Sequence, residues 1–333
     1  MLKSFLFFFL FFNLLFSKEI NIPDALKLGD TIAIISPGSP PKEASKFINE
    51  CIFNLEKMGY RVKLAANIFK KFGYLAGTDE ERAKAFMELW KDPSVKAIWC
   101  YRGGFGSGLI LDLLDYEYIK NNPKIFIGMS DITALHIALY KKAKLVTFLG
   151  PHVNWTMSNS SDYNQKFLQE KLFGIIEGNN INKISSEGCF INNSYAIKDG
   201  IVNGEIVGGN LTMIASLCGT EFQLNTKDKI LLIEDFDEKV YKIDSKLSQL
   251  KLSGLLDKPK GVILASFISC NADEASLSLE QVFEKYFKDA KYPVLVNFPS
   301  GHLKKNQATI PLNILVELNT FKKQIKFLEK AVR

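Results

Sequence analysis

Histidine is scarce in this 333-residue chain: His136, His152 and His302 are the three copies. They form no short metal-ligand spacing such as H-E-x-x-H, which leaves metal-assisted hydrolysis a minor option despite the acidic cluster Glu234, Asp235, Asp237 and Glu238. Cysteine is nearly as sparse. Cys51, Cys100, Cys189, Cys218 and Cys270 are widely spaced, odd in number and without a C-x-x-C pair. They therefore read as small buried apolar groups rather than as a disulfide framework or a zinc knuckle. No dense Lys/Arg stripe interleaved with aromatics occurs, which argues against nucleic acid as the main partner. The net charge of +6 is mildly basic and permits only weak attraction to an acidic polymer.

A long apolar run is confined to the amino terminus. Lys3 precedes the stretch from Phe5 to Phe16, broken only by Asn13, and Ser17 follows as a small residue suited to a cleavage site. That run is short for a bilayer span, so residues 1–17 read as a secretory signal peptide, with an uncleaved anchor as the alternative. Export, most simply to the periplasm, is the expectation, and the membrane is a partner only through an uncleaved leader. The remaining chain is long for one compact domain, and two domains are expected.

From Thr31 onward, strand and helix patterns alternate. Thr31 to Ser36 is apolar and β-rich, and Phe47, Ile48, Cys51, Ile52 and Leu55 recur at helical spacing. Thr78 with Glu81 forms a capping-box signature, and Val95 to Tyr101 reads as a further strand. These units predict an α/β domain over 18–155 with an open, mostly parallel sheet. A polar and Asn-rich region over 156–200 reads as a linker, and 201–333 as a mixed carboxyl-terminal domain ending in a Lys-rich helix.

Three places in this pattern carry chemistry. Gly128-Met129-Ser130-Asp131 lies between the strand pattern Ile125 to Ile127 and the helical pattern Ile132 to Tyr140. A serine there has a helix N-terminus behind its hydroxyl, and Gly128 permits the turn. The match to G-x-S-x-G is incomplete, since Ile132 replaces the second glycine. Further along, the apolar run Lys229 to Ile233 leads into Glu234, and Pro293 to Phe298 leads into Pro299-Ser300-Gly301-His302. Because open α/β sheets bind ligands beyond the carboxyl ends of their strands, Ser130, Glu234 and His302 can converge as nucleophile, acid and base. Asp235 points away along an extended backbone and is the weaker acid. The run Gly103, Gly104, Gly106, Gly108 lacks both G-K-[ST] and G-x-G-x-x-G. It can turn a strand tightly or supply the Gly104 N–H, beside that of Asp131, to an oxyanion. His136 reads as a packing or solvent-facing residue and His152 as a cleft-lining one.

Tyr101 to Gly106, Gly128 to Asp131, Gly208-Gly209-Asn210-Leu211, Leu232 to Asp235 and Ser300-Gly301-His302 together resemble the L,D-carboxypeptidase family of serine peptidases. The resemblance spans nearly all of the chain after the leader. It implies a flavodoxin-like amino-terminal domain with a nucleophile elbow and a smaller β-rich carboxyl-terminal domain. A Ser130–Glu234–His302 triad, an oxyanion site at the Asp131 and Gly104 amides, a homodimer and no metal or organic cofactor are implied as well. The implied reaction removes the terminal D-alanine of peptidoglycan tetrapeptides. Arg102, and with it Asn210, would contact the muropeptide, Arg102 through a substrate carboxylate or else in a structural ion pair. A related branch of the family hydrolyses aminoacyl-nucleotide antibiotics of the microcin C type, for which Trp155 and Phe105 are available as an aromatic platform. A silent peptidoglycan-binding protein is the rival from outside enzymology.

Overall fold

A computed structural model describes residues 20–42, 44–154, 183–185, 194–273, 276–303 and 307–333. The leader, most of the 156–200 region, Trp155 and Cys189 lie outside the described residues. Among the described residues no helix is long and apolar enough to cross a membrane.

Strands β1 (Thr31–Ile35), β3 (Val95–Cys100) and β4 (Ile125–Gly128) are short apolar runs buried at nearly every position, as expected for strands covered on both faces. They pair in parallel with one another, with β2 (Arg61–Leu64) on one side and β5 (Thr147–Leu149) on the other. The resulting order, β2-β1-β3-β4-β5, is that of a flavodoxin-like sheet. β2 carries only half-buried and exposed residues, as suits an edge. The opposite edge is covered antiparallel by β12 (Ile310–Leu312), which arrives from the far end of the chain. Helices α1 (Ala44–Lys57), α2 (Asp79–Lys91), α3 (Tyr116–Asn121) and α4 (Thr133–Ala143) connect these strands. The Thr78–Glu81 capping box starts α2.

The second sheet runs β6 (Lys183–Ser185), β14 (Gln324–Phe327), β13 (Leu315–Asn319), β8 (Ile201–Asn210), β9 (Ile230–Phe236), β10 (Gly261–Ile268), β11 (Val294–Val296) and β7 (Tyr195–Lys198). β8 to β11 are parallel and the flanking strands antiparallel, which makes this sheet mixed. Helices α5 (Leu211–Ser216), α6 (Val240–Leu252) and α7 (Leu279–Phe287) accompany it. The expected terminal helix is absent. Leu315 to Asn319 and Gln324 to Phe327 form a hairpin because their buried residues alternate with period two, while Lys322 and Lys323 occupy the turn, Lys323 with φ +50°.

The two sheets do not own separate cores. One apolar cluster joins Phe126 and Leu135 to Leu211 and Leu231, and a second joins Ile34 and Trp99 to Leu232 and Val316. Helix α4 explains the first. Its sequence TALHIALY is apolar all round, and every residue from Thr133 to Tyr140 is buried. A buried polar bridge crosses the same seam: Tyr140 Oη donates to Glu205 Oε2 over 2.7 Å, and Lys229 Nζ bonds both Glu205 and, at 2.9 Å, the tyrosine oxygen. Truncating Leu135 to Ala should cost about 2–5 kcal/mol of stability. Denaturant titration read by tryptophan fluorescence and by far-UV circular dichroism should give coincident transitions for wild type and variant. Separated transitions would show the two cores to be independent.

Candidate active site

The loops after β1, β3 and β4 meet at one end of the first sheet, where strand order reverses between β1 and β3. Beyond β4, Met129 is extended and Ser130 turns left-handed, with φ +62°. A non-glycine residue there stores on the order of 1–3 kcal/mol of strain, which the surroundings must hold. One 3-10 turn, Ser130–Ile132, then leads into α4, so the serine sits half-exposed at a helix N-terminus between buried neighbours.

Asp131 fastens this turn to the glycine-rich loop. Its carboxylate accepts the Ser107 N–H at 2.9 Å and the Gly106 N–H at 3.3 Å, and its carbonyl accepts the Ser107 hydroxyl. Burial raises the Asp131 pKa, with the Ser107 and Gly106 bonds and the Arg82 charge acting against it. Gly103 packs closely on this turn, since a Cβ there would stand 3.1 Å from Ser130 Cβ and 3.2 Å from the Asp131 nitrogen. Gly104 follows on the cavity side, in contact range of Ser39. Arg82, a fully buried guanidinium on α2, ties both loops together by donating to the carbonyls of Pro37 and, at 2.6 Å, Gly106. Neither Arg82 nor Ser39 was legible as a site residue, since a helix arginine and a loop serine have no distinguishing pattern.

The second sheet supplies the acid and base. Glu234, fully buried at the end of β9, accepts from His302 Nδ1 at 2.7 Å through Oε2. A carboxylate only accepts, so the ring proton lies on Nδ1 and Nε2 is left as the acceptor. The Oε1 atom takes the Asn210 amide at 3.2 Å. The loop carrying His302 is built tightly: Gly301 has φ +115°, and a Cβ there would meet Ser266 Oγ at 2.4 Å and Glu234 Oε2 at 2.7 Å. Phe236 stacks on the imidazole with ring centroids 4.8 Å apart. Burial lowers the His302 pKa, but the charge and hydrogen bond of Glu234, with Asp235 behind, outweigh it and leave the group raised above 6.5.

Ser130, Asp131, Gly104, Arg102, Asn210 and His302 all line one cavity of about 770 Å³, with Glu234 behind the histidine. All seven sequence-derived site residues are thus brought to one place. Asn210, on that cavity wall, is also bonded within the protein. Its amide donates to Glu234 and, at 2.9 Å, to Asp235, while its oxygen caps α5 by accepting the Met213 N–H. Asp235 lines the same cavity and is also buried, with Thr212 at the start of α5 donating both its N–H and its hydroxyl to that carboxylate. Burial and the nearby Glu234 raise its pKa. Arg102 is half-buried, touches the Pro40 carbonyl at 3.3 Å and has no carboxylate partner among the described residues. His152 lines the cavity, whereas His136 is buried against Phe126 with its Nε2 on the Gly128 carbonyl. Burial holds His136 neutral, with a pKa of about 4.

Residues 32–150 match the model of the LD-carboxypeptidase N-terminal domain, and residues 203–318 that of the C-terminal domain. The chain belongs to the LD-carboxypeptidase family. A family relative, the probable murein peptide carboxypeptidase of Bacillus subtilis, is 38% identical, over 90% of this chain and 92% of its own. The microcin C7 self-immunity protein MccF of Escherichia coli is 29% identical, over 92% of this chain and 95% of its own. Among solved structures, MccF with aspartyl sulfamoyl adenosine aligns at a TM-score of 0.82 and 26% identity, over 94% of this chain and all of that one. The muramoyltetrapeptide carboxypeptidase of Oxalobacter formigenes aligns at 0.75 and 27%, over 89% of this chain and 97% of its own. This member of the family thus has the mixed α/β architecture of both.

The pair His302–Glu234 has a definite pH signature. Because the folded pKa of His302 is raised, the stability it contributes is complete below the unfolded value near 6.5 and is lost as pH rises through the folded value. The neutral ring, able to accept a proton, gains population over that same rise. Glu234→Gln should therefore move the His302 titration to lower pH, as read by NMR of the imidazole. A midpoint unmoved by the substitution would remove Glu234 as the cause.

Proposed function

We propose that this chain is a serine L,D-carboxypeptidase that removes the terminal D-alanine from peptidoglycan tetrapeptides. The observation that carries the reading is the His302 Nδ1–Glu234 bond of 2.7 Å beside a left-handed Ser130 on the wall of the same cavity. In this mechanism His302 Nε2 takes the Ser130 proton as the hydroxyl oxygen attacks the scissile carbonyl. Glu234 holds the ring tautomer and stabilises the imidazolium. The Asp131 and Gly104 N–H groups face the developing oxyanion, an arrangement worth about 3–4 kcal/mol per donor. Collapse breaks the C–N bond, and His302 returns the proton to the departing D-alanine amine. Water, deprotonated by the same imidazole, then attacks the acyl ester and frees Ser130.

The charges of the cavity support a zwitterionic peptide end. Lys42 and Arg102 line it together with the acidic residues Asp235, Asp237 and Glu238. A free terminal carboxylate suits Arg102, and the ammonium of a diamino acid suits the acidic wall. The leader places this reaction outside the cytoplasm in our reading. The microcin-type activity draws on the MccF relative and on Phe105, which is exposed at the cavity. The acidic wall disfavours it, since anionic nucleotide linkages would lie against carboxylates.

Purified protein incubated with defined muropeptides should release one alanine, detected by mass, and Ser130→Ala should bind the tetrapeptide without shortening it. Intact tetrapeptide with both proteins would leave a binding module, and cleavage of an aminoacyl sulfamoyl adenosine instead would favour the immunity reading. Arg102→Ala should raise KM for a free terminal carboxylate about 10- to 100-fold. The same variant should lose discrimination against the amidated substrate; retained discrimination would reject the clamp.

A further inference from the structure

His152 is a buried, cavity-lining imidazole with no part in the proton transfers above. Its Nε2 lies 3.1 Å from the carbonyl oxygen of Met129, the residue before the nucleophile candidate. We propose that His152 is a positioning residue that fixes the Met129–Ser130 peptide and thereby holds Ser130 in its left-handed conformation. The inference rests on Ser130 being the nucleophile.

Two torsions set the direction of the serine side chain and of the Asp131 N–H, and each joins Ser130 to a peptide plane. On the far side, the Ser130 carbonyl accepts the Thr133 N–H, and Asp131 beyond that peptide is held by the Ser107 hydroxyl on its carbonyl and by two loop N–H groups on its carboxylate. On the near side, the Met129 carbonyl accepts from the Ile132 N–H at 3.2 Å and from His152. With both planes held, φ and ψ of Ser130 cannot relax toward the right-handed region that an L residue prefers. A bond from outside the turn is needed here, because the Ile132 contact moves with the turn it closes. His152 comes from the loop after β5, the neighbour of β4, and Gly150 N bonds Gly128 O at 3.1 Å. The donor is therefore anchored to the strand that delivers the serine.

A carbonyl needs an N–H donor, and the neutral ring supplies one from Nε2. Burial first, and the neighbouring His302 second, push His152 down to about 3, so the ring is neutral across the working range. Neutrality serves a second end: a charged imidazole there would oppose formation of the His302 imidazolium.

The test measures labelling of Ser130 by a fluorophosphonate probe together with kcat and KM on tetrapeptide. Ser130→Ala should abolish labelling; if it does not, the nucleophile assignment itself fails. His152→Leu should slow labelling and kcat by about 10- to 100-fold, with KM within about threefold of wild type. His152→Gln, whose amide nitrogen reaches where Nε2 lies, should recover both rates to within about fivefold of wild type. His152→Asn, polar but too short to reach the carbonyl, should remain slow and stands in if the leucine variant does not fold. Wild-type labelling in the leucine or asparagine variant, or no recovery in a folded glutamine variant, would overturn the assignment.

Discussion

Asn210 bonds three elements at once and ties the two sheets together at the site. Its backbone N–H donates to Thr133 Oγ1, at the start of the helix behind Ser130, over 2.9 Å. The amide side chain reaches Glu234 and Asp235 on β9, and its oxygen caps α5. One residue thereby sets the first sheet's serine turn against the second sheet's carboxylates. A buried amide with both N–H donors engaged allows little freedom, because any shift takes a donor from each of two desolvated carboxylates. Two pairs of groups on separate sheets therefore stay in register without a covalent link.

The buried charges follow the same logic. Glu234 and Asp235 are adjacent and both withdrawn from water, and burial together with the neighbouring Glu234 raises the Asp235 pKa. Each carboxylate is met by directed donors: His302 and Asn210 for the first, Thr212 and Asn210 for the second. Beside the first sheet Arg82 plays the complementary part, a buried cation whose two terminal nitrogens meet the Pro37 and Gly106 carbonyls and Asp79. These groups cost desolvation and return rigidity. That rigidity is what a left-handed serine and a singly oriented imidazole require.

Much of this was legible in the chain. The strand runs ending at Ser130, Glu234 and near His302 were visible because buried parallel strands read as unbroken apolar segments, and their C-terminal ends mark the crevice. What stayed hidden came from tertiary context. Asp235 looked dispensable by period-two alternation, and only the covering α5 buries its side. The bonds of Asn210 to Glu234 and Asp235 gave no sign, because these partners lie 24 and 25 residues away on a neighbouring strand. The closing hairpin was mistaken for a helix because lysines at 322 and 323 masked the two short alternating strands around them. His152 gave no sign of its bond to Met129, since spacing does not encode which carbonyl a loop imidazole meets.

The place of β12 has a consequence for synthesis. The first five strands are complete by residue 149, but the strand that covers their open edge begins at Ile310. At about 5–20 residues per second, the ribosome needs roughly 8–32 s to make the intervening chain. During that interval the outer edge of β5 presents unpaired N–H and C=O groups, and the apolar surface later filled by Val316 and Leu318 is bare. The nascent amino-terminal half is thus a species that chaperones would bind, and the finished molecule buries the very edge that makes it so.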